Sequence, residues 1–105
     1  MWLIDTTTLH LTWRIEVTHG APYAILSHTW AAEEVTFTDM KNLETAKRKI
    51  GWHKIAKTCE LAKEEGFKYA WVDTCCIDKS SSAELSEAIS SMFEWYALSS
   101  ICYVW

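Results

Sequence analysis

Glycine and proline are scarce in this chain, with three Gly and one Pro among 105 residues. No two glycines stand in G-x-G spacing, so there is no glycine loop to cradle a phosphate. Repeats and low-complexity tracts are absent, and Ser80-Ser81-Ser82 is the one linker-like stretch. No apolar run approaches the length that crosses a bilayer. The opening MWLIDTTTLHL has no basic n-region and no long apolar segment. A secretion signal is therefore not expected, and the expected location is cytoplasmic. Positive charge is also lacking. The formal net charge is -4, the pI is about 5.5, and the longest basic run is Lys47-Arg48-Lys49. Nucleic acid is not an expected partner for such a surface.

Apolar residues are plentiful. They make up 50% of the chain, and its seven tryptophans supply core material for one domain over residues 1–105. The four cysteines, Cys59, Cys75, Cys76 and Cys102, are expected as free thiols in a reducing compartment. WLIDTTTLHLTWRIEV suggests a hairpin or an irregular strand pair. His19-Gly20-Ala21-Pro22 signals a turn. YAILS (23–27) and KYAWVD (68–73) are short apolar runs suited to strands buried on both faces. EEVTFTD (33–39) alternates like a short edge strand.

Residues 42–65 carry a helical stripe of Trp52, Ile55, Cys59 and Ala62, with Lys54 among the residues of the other faces. Gly51 interrupts or starts that helix, and Gly66 is placed to end it. Ser81 and Glu84 have capping-box spacing. Leu85, Ala88, Ile89, Met92, Phe93 and Tyr96 then form a second stripe, and SICYVW (100–105) is a third strand. Strand, helix, strand, helix, strand predicts an α/β fold on a parallel sheet with YAILS in the middle. A chain that stops on a buried strand also suggests a domain cut short.

In such a sheet, ligands lie beyond the strand C-termini. Those ends carry Ser27, His28, Thr29 and Trp30, and the run from Asp73 to Lys79. Cys75 or Cys76 with His28 would make a nucleophile pair, but a buried, inert cysteine is the plainer reading. Adjacent cysteines lack the spacing that chelates zinc, and the four histidines are scattered, so no metal is expected. Asp73, Asp78, Glu84 and Glu87 are candidate acids, and each also has a structural reading as a cap or loop brace. Trp30 and Trp71 offer ring faces to a ligand, with core packing the plainer reading for Trp71.

The ordered blocks together resemble the fungal heterokaryon incompatibility (HET) domain. Tyr23, Leu26, Ser27, His28 and Trp30 match the first block of that family, and Glu33, Glu34, Val35 and Phe37 the second. Trp71, Asp73, Cys76, Ile77, Asp78 and Lys79 match the third. Ser82, Glu84, Leu85, Glu87, Ala88 and Ile89 match the fourth. Ala31 departs from the glycine usual there, at a loop position where a positive φ is expected.

The resemblance implies a flavodoxin-like or TIR-like, three-layer sheet, truncated here after the third core strand. It implies fungal non-self recognition and programmed cell death through signalling and self-association, with protein partners and no membrane span. Some TIR domains cleave NAD with a glutamate on the helix after the third strand. Here that position lies beyond Trp105, so catalytic residues stay unassigned and Glu84 and Glu87 cannot supply the role. Ser27, His28, Trp30, Asp73, Asp78 and Lys79 are the crevice candidates. No cofactor is expected, NAD being at most a substrate of the complete domain, and this chain itself is expected to be inactive.

Overall fold

The structure, a computed structural model, describes residues 1–13 and 22–105. The elements run β1 (Trp2–Asp5), β2 (Leu11–Trp13), β3 (Tyr23–Ser27), a 3-10 turn (Asp39–Lys41), α1 (Leu43–Lys47), α2 (Trp52–Glu64), β4 (Tyr69–Trp71), α3 (Ser82–Leu98) and β5 (Ile101–Val104). One five-stranded sheet has the order β2-β1-β4-β3-β5. YAILS, as β3, lies between the other two crossover strands and is parallel to both.

The sheet is mixed rather than wholly parallel. β1 pairs antiparallel with β2 and, through Ile4↔Ala70 and Asp5↔Tyr69, antiparallel with β4. The cause is local. Asp5 Oδ1 accepts from the N–H groups of Thr7 and Thr8 at 2.8 and 3.1 Å, which folds the chain straight back with no room for a crossover helix. The rest of the expected hairpin and most of the 19–22 turn lie outside the described residues.

β3 and β4 have almost no exposed surface on either face. Pairing puts Tyr23 and Ile25 on the same face as Tyr69 and Trp71. α3 covers that face. The Trp71 ring meets Trp95 at 5.6 Å and Tyr96 at 6.0 Å, both edge-on. Two tyrosine hydroxyls tie α3 to the sheet, Tyr23 donating to the Trp95 carbonyl and Tyr96 to the Leu26 carbonyl. The crossover from β3 to β4 and the crossover from β4 back past β3 to β5 run in opposite directions along the sheet, so right-handedness puts α2 on the other face.

Three sequence expectations need correction here. EEVTFTD is not a strand, because its polar side chains bond locally. Thr36 N–H donates to Asp39 Oδ2, Asp39 N–H to Thr36 Oγ1, and Ala31 N–H to Glu34 Oε2. The helical stretch 42–65 is interrupted before Gly51, as expected: Asn42 caps a first short helix and Gly51 stands at the N-cap of the second. On α3, Ile89 and Phe93 face outward at 67% and 87% exposure, while Trp95 takes the core position. The third strand is not buried either: β5 is half exposed, pairing with β3 alone among the described residues.

Gly66 does end α2 in the left-handed region, at φ +88. Ser81 caps α3, but Glu84 turns from the cap to accept from Trp2 Nε1 at 3.1 Å, joining α3 to β1. Tyr23→Phe keeps the ring and removes one buried hydrogen bond to α3. Urea unfolding should show a loss of about 1–2 kcal/mol, and an unchanged midpoint would mean that this tether contributes nothing.

Candidate functional site

β3 and β4 are parallel neighbours, with Ile25 opposite Trp71, so their following residues emerge at one end of the sheet. There His28 Nε2 lies 2.8 Å from Asp73 Oδ1, and Trp30 Nε1 donates to Asp73 Oδ2, also at 2.8 Å. The other imidazole nitrogen, His28 Nδ1, faces Lys54 Nζ at 3.1 Å. An ammonium has only hydrogens to offer, so Nδ1 must accept and Nε2 must carry the imidazole hydrogen. That hydrogen goes to Asp73.

The chain of bonds extends further inward. Lys54 Nζ also donates to the Thr29 carbonyl at 3.1 Å and to Glu34 Oε2 at 2.8 Å. Glu34, Lys54, His28, Asp73 and Trp30 thus form one continuous relay. The side chains of His28, Glu34 and Lys54 are 1%, 7% and 9% exposed, so it runs largely out of water. Burial works to raise the Glu34 carboxyl, but bonds from Lys54 and the Ala31 N–H outweigh it and hold the group below its ordinary value.

Helix α2 reaches this relay by close approach. A Cβ on Gly51 would fall 2.8 Å from Glu34 Oε1 and 2.9 Å from Glu34 Cα, so glycine alone fits where the helix meets this turn. The positive φ expected at Ala31 is instead at Glu33, φ 56.

A crevice of about 150 Å³ opens beside the relay, between the loops that follow β3 and β4. Trp30, Phe37, Thr74, Asp78, Lys79 and Ser80 are among its walls. Lys79 Nζ lies 4.7 Å from the centre of the Trp30 ring and donates to the Asp73 and Thr74 carbonyls at 3.0 and 3.5 Å. Asp78 Oδ1 accepts from both the N–H and the Oγ–H of Ser80.

Five of the six sequence candidates therefore meet here. His28, Trp30 and Asp73 share the relay, while Asp78 and Lys79 flank the crevice. Ser27 does not join them: it ends β3 beside β5, and its carbonyl accepts from Trp105 N–H. Sequence reasoning missed Lys54, Glu34 and Thr74. Lys54 lies four residues before Thr58 and five before Cys59, on the same buried helix face. That spacing was the available signal.

Cys75 and Cys76 do not form a pair with His28. His28 bonds to Asp73, not to a thiol. Cys75 and Cys76 lie buried 3.9 Å apart, and Cys76 Sγ accepts from Val72 N–H. The bond to Cys76 and burial push the Cys75 thiol well up, and burial pushes Cys59 to about 12. Trp71 is core, with no exposure. Among the described residues, no cluster of three or more His, Cys, Asp or Glu is arranged to hold a metal, and no helix is long and apolar enough to cross a membrane.

The molecule is an α/β domain with a closed polar relay at the strand ends, of the HET class. A family model described as heterokaryon incompatibility protein (HET) matches residues 23–105, and the chain belongs to that family. It is 54% identical over 86 residues to vegetative incompatibility protein HET-E-1 of Podospora anserina. That match spans 80% of this chain and 6% of the relative. No solved structure matches.

Lys54→Met should cost about 3–5 kcal/mol in urea unfolding, because it strands the Glu34 charge. Adding Glu34→Leu should recover most of that loss. Equal losses in the single and double variants would show that the ion pair is not what holds the turn. At pH 8 a thiol reagent should modify Cys102, the one exposed thiol, and reach the other three only after unfolding. Rapid native labelling of Cys75 or Cys76 would contradict the burial argument.

Proposed function

We propose that this HET domain acts in fungal non-self recognition leading to programmed cell death, as a cytoplasmic signalling module that self-associates and contacts protein partners. The name of the Podospora relative, a vegetative incompatibility protein, agrees with the biological setting. One contrast in the structure carries the reading. The polar groups that look catalytic are used up on one another, while large apolar side chains stand open elsewhere. Both His28 nitrogens are engaged and the paired thiols are buried. Meanwhile Phe93 and Ile89 on α3 and Val104 on β5 are 87%, 67% and 83% exposed. Exposed apolar side chains of this size favour association.

A second reading draws on the central strand order β4-β3-β5, the 2-1-3 arrangement of flavodoxin-like and TIR-like sheets, with the crevice at the strand ends. In that reading the complete domain cleaves NAD. The crevice is small for it: about 150 Å³, against roughly 300–1,000 Å³ for drug-sized ligands.

Sedimentation equilibrium of the chain should show mass rising with concentration, and Phe93→Glu with Ile89→Glu should lower that mass toward the monomer. A concentration-independent monomer would sink the assembly reading. Nicotinamide release from NAD with turnover, lost in Lys79→Ala, would put the hydrolase in its place.

A further inference from the structure

A second cavity, of about 260 Å³, lies between the β1–β2 hairpin and the 3-10 turn. Its walls are Trp2, His10, Leu11, Phe37, Met40 and Lys41. Two of the walls are rings held in place by other rings. Trp2 meets Trp13 at 5.2 Å and Phe37 at 5.4 Å, both edge-on, so the Trp2 indole is braced twice. The strand pairing of Trp2 with Trp13 fixes the first of those braces. Met40, 3% exposed, supplies the buried part of the wall.

The charge of this wall runs against the composition of the chain. Acids outnumber lysine and arginine by 14 to 10, yet the cavity's two titratable walls, His10 and Lys41, are both bases. Neither enters an ion pair among the described residues. Asp39, in the same turn as Lys41, is taken by Lys49 at 3.2 Å. Asp78 feels the charge of Lys41, but its carboxylate is tied first to Ser80. Lys41 Nζ lies instead 5.8 Å from the centre of the Phe37 ring. His10 bonds through its backbone N–H and carbonyl, which leaves the imidazole to offer.

Two bases without a countercharge favour an anion and repel a cation. A bare phosphate would satisfy them but leave the indole, the phenyl ring and the thioether against water. A neutral apolar ring would cover those groups and leave both bases unused. About 260 Å³ is the room of roughly nine waters, enough for one or two fused rings and a carboxylate.

We infer that this cavity binds a small aromatic carboxylate, its ring against Trp2, Phe37 and Met40 and its charge held by His10 and Lys41. The site shares Phe37 with the crevice beside the relay and shares nothing with the apolar side chains exposed on α3 and β5. It therefore stands under either reading of function above.

The test is an amide and indole NMR titration of the chain with phenylacetate, beside phenylacetamide, acetate and inorganic phosphate. Phenylacetate should shift the Trp2 indole and the amides of residues 10–11 and 37–41. It should bind about tenfold more tightly than phenylacetamide, which has the same ring and no charge. Acetate and phosphate, which offer no ring, should move these signals little. Lys41 is exposed, so Lys41→Met keeps the fold and most of the apolar stem. It should weaken phenylacetate binding about fivefold to tenfold. No shift with phenylacetate overturns the inference, and so do shifts confined to residues 74–80. Equal affinity for the amide, or an equal response to acetate or phosphate, overturns it as well. Unchanged affinity in a folded Lys41→Met would do the same.

Discussion

The buried ammonium of Lys54 is the constraint on which this end of the molecule depends. It emerges from the first turn of α2 and bonds to three parts of the loop that follows β3: the His28 ring, the Thr29 carbonyl and the Glu34 carboxylate. A desolvated ammonium is tolerated only when each hydrogen has an acceptor and a countercharge is near. Both conditions hold here, and they act as an alignment device. The loop cannot shift without exposing the charge to an apolar interior. Gly51 adds the steric half of the same fit, letting the helix start come within contact distance of the Glu34 backbone.

Consequences for chemistry follow from the direction of that contact. Because Lys54 can only donate, the hydrogen of His28 is committed to Asp73, whose second oxygen is taken by Trp30. A histidine and an aspartate at the ends of neighbouring strands look, on paper, like a general base and its orienting acid. In this arrangement the base faces inward and its lone pair is occupied. The relay therefore positions Trp30 and the β4 end, and meets solvent at its outer end, through Trp30 and Asp73, beside the crevice.

How much of this was readable from sequence depends on the range of the interaction. Gly66 and Ser81 announce their helix ends, because a positive φ and a cap are properties of a few neighbouring residues. β3 and β4 announce themselves as buried runs, and the sheet order with β3 between β4 and β5 agrees with the expected arrangement, although right-handed crossovers alone do not fix it. The antiparallel contact of β1 with β4 is not legible, since nothing in the first five residues specifies partners as distant in sequence as Tyr69 and Ala70. The loop over 33–39 misleads because Thr and Val alternate as in a strand, while Thr36 and Asp39 satisfy each other instead. Lys54 misleads in the opposite sense. A lysine beside a helical stripe reads as solvated, and only the approach of Glu34, 20 residues earlier, makes burial tolerable.

The asymmetry of the sheet bears on how such a domain meets others. β1 and β2 cover the outer edge of β4, so the parallel core of β4, β3 and β5 keeps an open flank only beyond β5 among the described residues. Register puts Cys102 and Val104 on the face of the sheet that α3 covers over β3 and β4. The outward-facing Ile89 and Phe93 lie on that same helix. The open backbone edge and the exposed apolar side chains thus belong to α3 and β5, while the crevice belongs to the loops after β3 and β4. The exposed apolar side chains and the crevice thus involve different residues, so a substitution at one need not disturb the other. The relay lies beneath the crevice loops: loosening Lys54 would alter the crevice first, and the apolar side chains exposed on α3 and β5 only through loss of the fold.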